Sequence, residues 1–254
     1  MKIIRIIYRV TTLKLLSVSA VLMMAYHGRG NDSGIPNQKQ KDYRQKWMQN
    51  VTKVIGMRLK IVGEIPQNEQ SALWVSNHIT WLDIPVIGSA GAAFLSKAEV
   101  RKWPVIGWLG NKGGTVFIQR GGKNASQKAS QEIAEKINAG DNILVFPEGT
   151  TGPGNNVSSF YARVFAPALE HKLRVQPIAI QYFNHKGEYQ SNLAWSNESF
   201  MTNLIRVLGE PNIEVVLTFL PLIDASQYTQ RKHIAELAEK QIRHVVTQKN
   251  ENNN

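Results

Sequence analysis

His78 and Asp83, five residues apart in Asn77-His78-Ile79-Thr80-Trp81-Leu82-Asp83, are the pair in this 254-residue chain best suited to acid–base chemistry. A neutral imidazole with one ring nitrogen held by a carboxylate presents the other as a general base, and the carboxylate stabilises the imidazolium that forms. Such a base takes the proton of a substrate hydroxyl. The nucleophile is then the acceptor itself, not an enzyme side chain as in a Ser-His-Asp triad. The chain has no cysteine, which excludes disulfides, thiolate metal sites and a thiol nucleophile. It also lacks a Gly-x-Ser-x-Gly elbow, a Walker loop, a Rossmann glycine triplet and a metal-spaced histidine cluster, so no metal and no bound cofactor are expected.

The spacing is a weak signal by itself. On a continuous helix, positions five apart are turned by about 140°, so the two side chains meet only where the chain bends between them. Six histidines and nineteen acidic residues make a chance match common. A second copy, His27 and Asp32, lies in a Gly-rich polar stretch with no apolar run before it and reads as accidental. For His78, a catalytic base and a satisfied structural histidine both remain open on spacing alone.

The elements needed to position the pair are legible. An apolar run at 72–76 leads into the motif, and Asp83-Ile84-Pro85 reads as a helix start, where Pro is tolerated. Further strand candidates lie at 93–95, 115–118, 143–146, 175–180 and 213–220. Ala125, Ala129, Ile133 and Ile137 recur every fourth residue and predict a helix, with Asn124 or Ser126 as its cap and Gly140 as its stop. Two more helices are expected over 159–171 and 229–246. Strands alternating with helices predict an α/β domain with a mixed, largely parallel sheet flanked by helices.

The net charge of +11 is concentrated at one end. Residues 1–62 carry twelve Lys/Arg against Asp32 and Asp42, and the other 192 residues carry eighteen basic and seventeen acidic side chains. A near-neutral body argues against a nucleic-acid partner, which calls for a basic stripe over the fold. A basic leading quarter suits anionic membrane lipids. The longest uncharged stretch there, 15–26, makes a helix of roughly 18 Å, short of a ~30 Å hydrocarbon core. An in-plane or hairpin anchor, a true span and a cleaved signal are the alternatives. Basic residues on both sides of the stretch favour the first, at the cytoplasmic face of the inner membrane. The expected organisation is a basic membrane-associated helical segment at 1–62, a catalytic domain at 63–246 and a disordered tail at 247–254. Removal of 1–62 is expected mainly to release the domain from the membrane.

The chain resembles the glycerolipid acyltransferases of the lysophosphatidic acid acyltransferase type, through four blocks in the family's order. These are Asn77 to Asp83, Gly114 to Arg120, Phe146-Pro147-Glu148-Gly149-Thr150 and Val175-Gln176-Pro177-Ile178. The resemblance implies that His78 is the base, oriented and charge-balanced by Asp83, and that Arg120, Glu148, Gly149 and Thr150 bind the acceptor. It implies acyl-CoA or acyl carrier protein as the donor and a lysolipid as acceptor, first of all 1-acyl-sn-glycerol-3-phosphate, giving phosphatidic acid. Lys97 is a candidate contact to donor or lipid phosphate. The fourth block, in which Pro177 reads locally as an edge or bulge residue, is linked less firmly to the donor or to structure. One departure stands out: Thr151 occupies a place where many members carry arginine. With Ala194-Trp195 and Ser199-Phe200, this variant is similar to a branch that includes lyso-ornithine lipid acyltransferases, whose acceptor carries a carboxylate and amino groups instead of phosphate.

Overall fold

A computed structural model of the chain describes residues 1–29, 31, 34–66, 70–118, 125–196 and 198–251. Its strands β1 (Met57–Val62), β2 (Leu73–Ser76), β3 (Ala92–Lys97), β4 (Val116–Ile118), β5 (Asn142–Val145), β6 (Arg174–Phe183), β7 (Ile213–Phe219) and β8 (Ile223–Asp224) form one sheet. The order is β1-β7-β6-β2-β5-β3-β4, with β8 on β6. All pairings are parallel except those of β6 with β7 and β8. The central strands are covered on both faces, which explains why they read as continuous apolar runs.

The pleat sorts these side chains between two cores. Leu73, Val75 and Ile143 point to one face, packed by Ile133 and Ile137 of α5 (Ala125–Asn138) and Ile234, Ala238 and Ile242 of α8 (Arg231–Glu251). Trp74, Leu144 and Ile178 point to the other face. There they meet Val51 and Ile55 of α2 (Gln38–Ile55), Val86 and Ile87 of α3 (Asp83–Gly88), and Val207 and Leu208 of α7 (Phe200–Leu208). The remaining helices are α1 (Lys2–His27), α4 (Ile106–Lys112) and α6 (Ala166–Glu170).

Several stretches differ from their sequence reading. Met57–Val62, counted by charge with the leading segment, is the edge strand β1, paired in parallel with β7. Arg58 and Lys60 had marked it as anchor, but they alternate outward, as an edge strand permits. The helix expected over 159–171 is split into a 3₁₀ turn at Ala162–Phe165 and the short α6, because Pro167 lacks an N–H and fits only a first helical turn. The last helix runs on to Glu251, through residues expected to be disordered. Pro177 is neither at an edge nor in a bulge. It sits in β6 opposite Val75, where the other neighbour changes from β8 to β7. Its carbonyl accepts from Leu220 N–H on the β7 side, so the missing N–H falls at that changeover.

The leading residues are built into the domain. Helix α2 starts with a capping box, Asn37 accepting from Gln40 N–H and Gln40 from Asn37 N–H, and ends at Gly56 (φ 82°). A side chain at Gly56 would collide with the Arg9 guanidinium. Four of the basic residues read as membrane contacts are turned inward. Arg5 and Arg9 donate to the carbonyls of Leu208, Gly209, Glu210 and Pro211, at the C-terminal end of α7. Lys41 donates to Ala139, and Arg44 is buried against Asp141. Near the other end of α1, Met24 is buried beside Gly113, just past α4. Ile4, Tyr8, Leu15, Val18, Leu22 and Tyr26 form an exposed apolar stripe along α1.

Candidate active site

The sheet order places the site. From β2 the chain runs to β3 and β4, returns to insert β5 beside β2, and then crosses to β6 on the other side. In open α/β sheets, ligands bind where such a reversal parts the loops at the carboxyl ends of the strands. The loops after β2 and β5 converge at that point, Gly152 N–H donating to His78 C=O at 2.7 Å.

Asn77 explains how the chain turns away from the sheet here. The backbone of β2 pairs with β6 only as far as Ser76 and Ile178. The buried Asn77 amide then continues the ladder, donating to Ile180 C=O at 3.0 Å and accepting from Ile180 N–H at 2.9 Å. A carboxamide can do both; a carboxylate cannot. The freed backbone bends, and α3 begins at Asp83.

That bend brings the pair together. His78 Nδ1 lies 2.7 Å from Asp83 Oδ2, which also accepts from Ile79 N–H at 2.6 Å and Thr80 N–H at 3.0 Å. Asp83 Oδ1 accepts from the Tyr182 hydroxyl at 2.6 Å. The carboxylate is fully buried, and these donors satisfy both of its oxygens. It fixes the proton on His78 Nδ1. Nε2 makes no hydrogen bond among the described residues, and the side chain is 18% exposed. The imidazole stacks on Phe146, centroids 3.8 Å apart. The ring thus has one polar edge anchored, one face covered and one nitrogen free to accept a proton. His27 packs near Tyr26 and Tyr43, and its sequence partner Asp32 lies outside the described residues.

The other expected residues fare differently. Glu148 is 4% exposed, and its two oxygens accept from His78 N–H and Ser158 N–H, each at 2.8 Å. What it does is tie the β5 loop to the histidine backbone. Gly149 (φ 72°) and Thr150 are exposed on the turn that follows, where the Tyr161 ring would crowd a side chain at Gly149. Lys97 is exposed at the carboxyl end of β3, on the same edge of the sheet. Arg120 lies outside the described residues. Thr151 Oγ1 donates to Trp195 C=O at 2.6 Å, and Trp195 N–H to Ile79 C=O at 2.9 Å. The residue that stands in place of an arginine therefore joins the β5 loop to the loop before α7.

Tyr182 was missed by the sequence reading. It lies 99 residues from Asp83 in an apolar run, where the one local signal is that a tyrosine in a buried strand needs a partner for its hydroxyl. Burial, and then the Asp83 charge, push its ionisation well above the ordinary tyrosine range, so it remains a donor.

Comparison with known proteins agrees with this architecture. The Acyltransferase family model matches residues 58–181. The chain is 38% identical over 199 residues to the lyso-ornithine lipid O-acyltransferase of Pseudomonas aeruginosa, covering 78% of this chain and 75% of that one. It is 26% identical over 219 residues to the 1-acyl-sn-glycerol-3-phosphate acyltransferase of Neisseria meningitidis, covering 86% of each. The crystal structure of the 1-acyl-sn-glycerophosphate acyltransferase PlsC of Thermotoga maritima has the same fold, with a TM-score of 0.75 at 20% identity over 98% of this chain and 97% of that one. On these relationships and on its fold, the chain belongs to the acyltransferase family that includes the lyso-ornithine lipid and 1-acyl-sn-glycerol-3-phosphate acyltransferases.

Proposed function

We propose that this protein moves a fatty acyl group from a thioester donor, acyl-CoA or acyl-ACP, to the free hydroxyl of a lysolipid, with His78 as the general base. The observation that carries the reading is the Asp83-anchored imidazole whose Nε2 has no hydrogen-bond partner among the described residues. Nε2 takes the acceptor's hydroxyl proton as its oxygen attacks the thioester carbonyl, while Asp83 balances the imidazolium. The tetrahedral intermediate collapses by breaking the C–S bond, and the departing thiolate takes the proton from Nε2. Each proton and electron pair is accounted for without a covalent acyl-enzyme, a metal or a bound cofactor. Water competes with the acceptor hydroxyl, so an apolar setting near the bilayer suits the reaction.

Lyso-ornithine lipid becomes the first acceptor and 1-acyl-sn-glycerol-3-phosphate the second, reversing the order that the sequence blocks suggest. Two features support this. Relatives with that name are 28% to 38% identical, against 26% for the two Neisseria phosphate-acceptor enzymes. Thr151 also faces Trp195, where an arginine would add a phosphate ligand. Phosphate recognition would then rest on Lys97 and Arg120. Incubating purified protein with a labelled acyl donor and each lysolipid tests this. Ester should form on lyso-ornithine lipid about tenfold faster or more than on the phosphate acceptor. The opposite ratio assigns the phosphate acceptor, and donor-independent fatty-acid release would mark a hydrolase.

Helix α1 is long and apolar enough to enter a membrane. Arg5 and Arg9 near one end and Met24 near the other hold it to the domain, which favours an in-plane helix with its apolar stripe in one leaflet. The cytoplasmic face of the inner membrane, where acyl thioesters are found, completes the reading. Changing Ile4, Leu15 and Leu22 together to serine is expected to weaken binding to anionic vesicles about 100-fold, at roughly 1 kcal/mol for each half-immersed side chain. Co-sedimentation measures this, and unchanged circular dichroism shows that the fold survives.

A further inference from the structure

The Asp83 carboxylate has two oxygens in unequal settings. Oδ2 has three donors from its own loop, His78 Nδ1, Ile79 N–H and Thr80 N–H. Oδ1 has one, the Tyr182 hydroxyl, which arrives from β6 on the far side of the strand that carries the motif. Among the described residues no other hydrogen bond reaches Oδ1. We infer that Tyr182 is a positioning residue for the reaction: by donating to Asp83 Oδ1 it fixes the plane of the carboxylate and sets how strongly that carboxylate pulls on the His78 Nδ1 proton. The inference rests on the proposed role of His78 as base.

The physical argument runs through charge. A buried carboxylate is stabilised as an anion by each donor it accepts from, and a donor to a charged group matters more than one to a neutral group. Three groups compete for the same negative charge: Tyr182, the loop amides and the imidazole. When Tyr182 withdraws, Asp83 becomes the stronger base, binds the imidazolium more tightly and raises the basicity of His78. The pH at which His78 becomes a free base therefore moves up. Oδ1 also loses the contact that opposes rotation about the Cβ–Cγ bond. Other titratable groups near the pair are few. Tyr189, beyond β6, is itself held protonated by burial and by the Asp83 charge. Glu148, from the β5 loop, accepts from the His78 backbone amide.

Tyr182→Phe tests this, since it removes the oxygen and keeps the ring that fills the core. The acid limb of the kcat/KM profile against pH should move up by about one unit. At neutral pH the rate should fall about tenfold through kcat, with little change in the acceptor KM. Full-length protein is used throughout, and its melting temperature is recorded. Because activity depends on the donor chosen, the pH dependence of diethyl pyrocarbonate modification of His78, located by peptide mass mapping, provides a substrate-free readout and should move in the same direction. A lower melting temperature with both pH profiles unmoved would show a purely structural tyrosine and overturn the inference. So would a variant indistinguishable from the parent. If His78→Ala retained activity, the assignment of the base would fail first. If His78→Ala were inactive and Tyr182→Phe unaffected, only the role of Tyr182 would fall.

Discussion

Alanine at position 78 is expected to lower acyl transfer by about 10²–10⁴-fold, the usual contribution of a general base, while alanine at position 27 leaves the rate at the parent's level. The two histidines share a sequence pattern, each followed five residues on by an aspartate. They differ in surroundings. His78 is held by a fully buried carboxylate and stacked on Phe146, with no partner for Nε2 among the described residues; His27 ends α1 beside Tyr26 and Tyr43, and Asp32 lies outside the described residues. The imidazole of His78 also contributes little to the fold beyond its contacts with Asp83 and Phe146, so the variant should retain its melting temperature within a few degrees. The loss should appear in kcat with acceptor affinity largely retained, as for a group that acts in the transition state. Steady-state rates of the two alanine variants with the same donor and lysolipid decide the matter. A slow His27 variant beside a fast His78 variant would refute the assignment.

Arg44→Met should destabilise the fold by about 3–5 kcal/mol, the cost of leaving one partner of a buried ion pair alone. The Arg44 side chain is 6% exposed and that of Asp141 1%. The guanidinium makes two bonds to the carboxylate, at 2.7 and 2.9 Å, and one each to Gly113 C=O at 2.6 Å and Gly91 C=O at 3.0 Å. Methionine leaves Asp141 charged, buried and without its guanidinium partner, and leaves those carbonyls without their donor. The urea midpoint should fall with the slope nearly unchanged, as expected when stability changes and compactness does not. Combining Arg44→Met with Asp141→Leu should recover most of the loss, because a buried pair replaced by apolar groups is often close to neutral. A double variant as unstable as the single one would show that the bonds to Gly113 and Gly91 dominate.

The same pair bears on how the N-terminal part of the chain is regarded. A segment that merely tethered a domain to lipid could be cut away cleanly. Here removal of 1–62 takes away the β1 edge strand, the Val51 and Ile55 contribution to the core, and the cation that neutralises Asp141. The truncated protein is therefore expected to unfold instead of becoming a soluble enzyme. The charge count misled because a lysine or arginine carries the same formal charge whether it faces lipid phosphate or a backbone carbonyl. Only the position of α2 against the ends of α4 and α5 distinguishes the two.

Local pattern served well where the decisive interactions are local. The apolar run before Asn77, the proline two residues into α3, the four-residue repeat of α5 and the alternation of strands and helices are short-range properties, and each appears in the structure close to where the residues put it. Pattern failed at Pro167, where one missing N–H outweighed a stretch of helix-forming neighbours. At Glu148 pattern marked only a turn after a strand, and the two backbone amides that converge on its carboxylate, from His78 and Ser158, could not be read locally.

The order of residues, by itself, determined the chemistry on offer: an imidazole and a carboxylate at a spacing that demands a bend, no thiol, and apolar runs enough for a covered sheet. Tertiary structure alone decided that His78 meets Asp83 inside a buried polar cluster, and which tyrosine completes that cluster from β6. The reason is physical. Periodicity reports which face of an element is buried, but hydrogen bonds between residues 70 to 103 positions apart, such as those of Glu148, Tyr182 and Asn77 around this site, exist only once the sheet has brought the loops together.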